Sequence, residues 1–158
     1  MRRETRSVYQ LTSAAAIAAV YVALTLMFLP IAYGPISFRL SELLCILPHF
    51  TPAAVPGLTV GCLLANFLAG AAPMDVVFGS LATLAGAWGS YRLRRHRWLV
   101  WLPPVIANTL GIPWVLRFAY GNDEFMPVLT ATIFLSEAIA VGLLGNALML
   151  ALEKYKRQ

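Results

Sequence analysis

Apolar residues fall into six runs, at residues 11–32, 40–48, 53–69, 74–91, 98–116 and 125–152, separated by short polar or Pro/Gly-rich segments. A run of ~20 apolar residues predicts a helix that crosses a bilayer. The second run is short, and Pro48, Pro52 and Pro56 follow it, so the chain there is bent or broken. Charge decides whether it crosses. Arg2, Arg3 and Arg6 precede the first run, and the segment Tyr91-Arg92-Leu93-Arg94-Arg95-His96-Arg97 lies between the fourth and fifth. Cationic flanks stay in the cytoplasm. The two clusters must therefore be separated by an even number of crossings, which makes the short run a span. Two further spans return Lys154, Lys156 and Arg157 to the same side, leaving only Arg39 and Arg117 outside.

The pattern thus predicts an all-α fold: one integral membrane bundle of six transmembrane helices over residues 1–158, with both termini cytoplasmic. The first outer loop holds Pro30, Gly34 and Pro35 and permits a lid. Composition agrees. The chain is 59% hydrophobic with a mean hydropathy of +0.73, and its 12% of charged residues is about half the soluble share. The net charge of +5 sits on the flanks of apolar runs, which reads as orientation and attraction to anionic lipid rather than nucleic-acid binding. Cys45 and Cys62 lie inside apolar runs and read as buried, reduced thiols.

Polar residues inside these runs are the candidate chemistry, because ionisable groups in hydrocarbon cost at least ~2.5–3.5 kcal/mol and usually face a cavity or one another. The topology collects Arg39, Glu42, Asn66, Asp75, Asn108, Trp114 and Glu137 in the outer half of the bundle. Three carboxylates against one arginine leave an excess of acceptors that a cationic, hydrogen-bond-donating solute would balance. Each residue has a plainer reading. Arg39 and Glu42, three apart, can pair with each other. Asp75 can satisfy free N–H groups at a helix start. Asn66 and Asn108 can bridge helices, and Trp114 can anchor at the interface. Glu137 lies far from a helix end, with no cation nearby on its own span.

A second pattern is a small-residue strip on the first helix. Ala15, Ala19 and Ala23 share one face at four-residue spacing, and Ala14 and Ala18 pair likewise. Small residues let another helix approach closely, either within this bundle or on a partner membrane protein. No Walker lysine, HExxH or G-x-S-x-G occurs, so no catalytic residue, metal ligand or cofactor site is legible.

Phe38-Arg39-Leu40-Ser41-Glu42, the proline-broken stretch through Leu64-Ala65-Asn66, and Met74-Asp75-Val76-Val77-Phe78-Gly79-Ser80-Leu81-Ala82-Thr83-Leu84 resemble the queuosine-precursor transporter (QueT) family. These are substrate-binding S components of energy-coupling-factor (ECF) ABC importers. The resemblance implies a six-helix prokaryotic plasma-membrane subunit that binds its solute from outside. It implies docking through the alanine strip onto the coupling subunit EcfT, with two ABC ATPases as the energy source. It further implies a 7-deazapurine such as preQ1. Glu42 or Glu137 would receive its guanine-like edge, Asp75 would lie near its ammonium, Asn66 and Asn108 would meet the remaining polar atoms, and Trp114 would stack on the ring. The alternatives are an S component for another vitamin-like solute, a stand-alone carrier, and a small membrane enzyme for which no reactive group is evident.

Overall fold

The computed structural model describes residues 2–32 and 38–156; Gly34, Pro35 and Arg157 lie outside them, and with them the expected lid. Helix α1 spans Arg2–Met27, and a short α2 follows at Leu29–Ala32. A 3₁₀ helix occupies Leu40–His49 and leads into α3, Ala54–Leu68. A π turn at Asp75–Gly79 runs directly into α4, Ser80–Arg92. Helix α5 covers Leu102–Ala119. The final rod is continuous: α6 at Met126–Glu137, a π segment at Ala138–Gly145, and α7 at Asn146–Lys156. No strand occurs among the described residues.

The fold is therefore all-helical, as the hydrophobic pattern predicts. Three helical stretches, Ser7–Met27, Arg97–Ala119 and Met126–Tyr155, are long and apolar enough to cross a membrane. Large side chains such as Phe67, Leu110, Trp114, Phe118, Leu135 and Leu143 point outward from the bundle. So much exposed apolar surface suits lipid and not water. The short second run gains reach from its geometry. Ten residues of 3₁₀ helix rise about 20 Å, against about 15 Å for an α-helix.

Small residues set how closely the helices approach. Gly57 and Gly61 of α3 face α1: a Cβ at Gly57 would stand 2.7 Å from the carbonyl oxygen of Ala14, and one at Gly61 would stand 3.1 Å from Ala18 Cα. The alanine strip is thereby divided. Ala18 is buried and Ala14 half-buried in an internal contact, while Ala15, Ala19 and Ala23 remain exposed. The expectation that all five face a partner is corrected for Ala14 and Ala18, because the 100° advance per residue turns them toward α3. Helices α4 and α5 meet similarly, with Gly86 and Gly89 against Pro104 and Pro103. Gly145 in the π segment makes room for Ile46 of the 3₁₀ helix.

At the basic end, Glu153 of α7 receives Arg97 at 3.1 Å and faces His49 Nε2 at 3.7 Å. It joins the 3₁₀ helix, the turn before α5 and the carboxy-terminal rod. Ser90 closes the same turn by donating to the Val100 carbonyl at 2.6 Å. Arg92, Arg94 and Arg97 lie over the rings of Trp88, Tyr91 and Trp98, 4.4–4.6 Å from the ring centroids. Aromatic faces thus cover part of the arginine cluster that the sequence singles out.

Glycine substitutions separate close helix approach from simple helix propensity. Gly61→Ala places a methyl 2.9 Å from Tyr21 Cβ and lowers the melting temperature of the detergent-solubilised protein. Gly111→Ala meets only an ordinary contact with Ala82 at 3.8 Å. It leaves the melting temperature unchanged or raises it, since Ala is favoured over Gly in a helix by about 1 kcal/mol. Equal effects at the two sites contradict the α1–α3 contact.

Candidate functional site

At the end opposite Glu153, the elements enclose a cavity of about 490 Å³. That size is usual for a small-molecule site. Its lining includes Arg39, Glu42, Asp75, Asn108, Tyr120, Asn122, Thr132 and Glu137, with Ile112, Leu116, Leu129 and Ile133 as apolar wall. Five of the seven polar candidates are thus brought together from the 3₁₀ helix, the π turn, α5 and α6.

The path from sequence to site is clearest around Asp75. Just past the end of α3 stands Gly70, whose φ of +71° suits glycine. Ala71 N–H donates to the Asn66 carbonyl and Gly70 N–H to that of Phe67, the two bonds of a Schellman motif. The chain is thereby folded back so that the Asn66 side chain donates to the Asp75 carbonyl oxygen at 3.1 Å. Asn66 is buried behind the cavity rather than lining it. Its role is to hold the backbone of the π turn. Gly79 completes the arrangement, because a Cβ there would stand 2.9 Å from Asp75 Oδ1 and 3.1 Å from Asn66 Nδ2.

Asp75 then pairs across elements. Arg39 Nη2 lies 3.0 Å from Asp75 Oδ2, so the arginine ties to the π turn as well as sitting near Glu42 in sequence. Tyr120 OH also donates to Oδ2 at 3.0 Å and accepts from the Ala72 N–H at 3.1 Å. Burial pushes the Tyr120 phenol above its usual pKa, with the Asp75 carboxylate adding to the effect, so the ring stays a neutral donor.

Glu42 is satisfied from within. Tyr21 OH of α1 donates to Oε1 at 2.5 Å, and the Cys45 thiol donates to Oε2 at 3.0 Å. Beside it, Thr25 donates to Ser41 at 2.7 Å. Glu137 is different. Asn108 lines the same cavity, but Glu137 Oε2 has no partner among the described residues although it is buried. Glu137 lines the same cavity as Glu42 and Arg39. The next residue begins the π segment, a local widening that is frequent at functional sites.

Trp114 does not join this group. It is 55% exposed on the outer face of α5, its ring stacked on Phe118 at 6.1 Å. The helical turn carries it away from Asn108, so the expected stacking role is corrected: its position matches an interfacial anchor. Sequence reasoning missed Tyr21, Cys45 and Tyr120. Tyr21 was hidden by the alanine strip around it, and Tyr120 by its place in a loop. No group of His, Cys, Asp and Glu suited to a metal ion occurs among the described residues.

The charge pattern of the cavity, three carboxylates with one arginine, suits a small cationic or donor-rich solute and offers no nucleophile–base pair. The queuosine precursor transporter QueT of Lactococcus lactis subsp. cremoris (strain MG1363) is 40% identical over 78 residues, which cover 48% of this chain and 46% of that protein. The aligned region thus spans about half the length of that relative. No solved structure matches the chain. The profile of the QueT transporter family matches residues 11–154, nearly the whole sequence. The chain therefore belongs to the QueT transporter family, a family of membrane transporters and not of enzymes.

Proposed function

We propose that this protein is the substrate-binding S component of an ECF-type importer for a 7-deazaguanine, with preQ1 as the leading solute. The observation that carries the reading is the cavity in which three carboxylates face one arginine and Glu137 Oε2 has no partner among the described residues. A 7-deazaguanine presents N1–H and an exocyclic amine as adjacent donors, which one carboxylate receives with two hydrogen bonds. Glu137 is the acid for this edge, because both oxygens of Glu42 already accept internal hydrogen bonds. Asn108, adjoining Glu137, reads a neighbouring polar atom. The aminomethyl ammonium is balanced by the surplus negative charge of Glu42 and Glu137, since Asp75 is already engaged with Arg39.

In this reading the chain is one six-helix membrane domain in a prokaryotic plasma membrane. The 3₁₀ helix serves as the second span, both termini and the arginine-rich turn face the cytoplasm, and the cavity opens outward. Ala15, Ala19 and Ala23, the exposed part of the small-residue strip, form the face for EcfT, with two ABC ATPases completing the importer.

Glu137→Gln weakens preQ1 binding about tenfold to a hundredfold in calorimetry on the purified chain, the equivalent of a charge-assisted hydrogen bond of ~1.5–3 kcal/mol. Wild-type affinity in Glu137→Gln, Glu42→Gln and Asp75→Asn alike removes the proposed site. Ala15→Trp or Ala19→Trp abolishes co-purification with EcfT and spares solute binding, whereas Ala18→Trp disrupts the α1–α3 contact itself. Loss of solute binding with docking intact reverses that assignment. Uptake into vesicles holding this chain alone assigns a stand-alone carrier instead.

A further inference from the structure

Tyr120 is the one aromatic side chain among the described residues that line the cavity. The residue is 44% exposed and lines the cavity, so part of it is open to a solute. Its hydroxyl is not free to wander. It donates to Asp75 Oδ2 and accepts from the Ala72 N–H, contacts that span from the end of α5 to the α3–α4 turn. Two hydrogen bonds on one phenolic oxygen hold the far end of the ring, while the backbone at the end of α5 holds the near end. A ring fixed at both ends is a preorganised surface, and preorganisation lowers the cost of ordering on binding. Gly121 follows at a φ of +63°, turning the chain so that Asn122 also reaches the cavity. Trp114, the other aromatic candidate on this helix, faces away and stacks on Phe118.

We propose that Tyr120 is a specificity-determining binding residue: its ring is the wall against which a flat heterocycle lies, and its hydroxyl bonds to Asp75 and Ala72 set the orientation of that wall. This rests on the reading of the cavity as a 7-deazaguanine site. Flat bases stack on aromatic rings without regard to their substituents. Tyr120 therefore selects for planarity, while the carboxylates select for the donor edge and the ammonium.

The test is titration of the full chain in nanodiscs with preQ1 and with guanine, in wild type, Tyr120→Leu, Tyr120→Phe and Trp114→Leu. Tyr120→Leu weakens both ligands by a similar factor of about tenfold or more. Tyr120→Phe keeps the ring and loses distinctly less, and Trp114→Leu matches wild type. Wild-type binding in Tyr120→Leu, equal losses in Leu and Phe, or a loss confined to the aminomethyl ligand overturns the proposal. Should Tyr120→Leu fail to fold, Tyr120→Trp decides: retained affinity supports the ring surface, and a loss beyond that of Tyr120→Phe contradicts it. A wild-type chain that binds neither ligand overturns the deazaguanine reading and this inference together. Binding by wild type with no effect at Tyr120 overturns this inference alone.

Discussion

The ion pair between Arg39 and Asp75 is the constraint on which the cavity depends. Both side chains are largely buried at a separation of 3.0 Å. A lone charge there would carry the full cost of leaving water, so each group holds the other in place. The pair fastens the start of the 3₁₀ helix to the π turn before α4. Tyr120 adds the end of α5 to the same carboxylate, and Asn66 adds α3 through the Asp75 backbone. Three separate parts of the chain thus converge on Asp75. The arrangement also leaves a consequence for chemistry. The cation that lines the cavity pairs with Asp75, Glu42 is satisfied by Tyr21 and Cys45, and Glu137 retains an oxygen with no partner among the described residues. Asp75 Oδ1 is likewise buried without a partner among the described residues, and both carboxylates line the cavity.

Both π segments border this chemistry. One begins at Asp75, and the other begins immediately after Glu137. A π turn interrupts the regular i→i−4 ladder and shifts the side chains that follow. It also packs tightly here. Gly79 stands against Asp75 and Asn66, and Gly145 against Ile46. The glycines that let the helices widen are the same ones that let neighbours close in. Stability and site geometry therefore share residues, and a substitution meant to improve helix propensity at Gly79 would press on the binding machinery.

Hydrophobic periodicity and the arginine-rich turn made the helical class legible, because bilayer length and charge asymmetry act on whole segments. Burial cost made Arg39, Glu42, Asp75, Asn108 and Glu137 legible as a group, since ionisable and amide side chains in apolar runs need partners. Pairing was not legible. Arg39 and Glu42 look like natural partners three residues apart, yet Arg39 reaches Asp75 because the Schellman turn at Gly70 brings the π turn to it. Tyr120 escaped notice because a loop aromatic carries no periodic signal. Trp114 was misjudged because its side of α5 depends on how α5 packs against α4, which is set by the contacts of Gly86 and Gly89 with Pro104 and Pro103. The alanine strip was visible as a strip, but only the facing glycines of α3 divide it into an inner and an outer face.

The central claim, that Arg39 and Asp75 jointly build the cavity, is tested most directly by a double-mutant cycle with Arg39→Met and Asp75→Asn, read as thermal stability of the purified protein. Each single change strands a buried group and lowers the melting temperature, and the double variant recovers much of the loss, giving strong coupling. Additive losses, with no recovery in the double variant, contradict the pairing and with it the architecture proposed for the site.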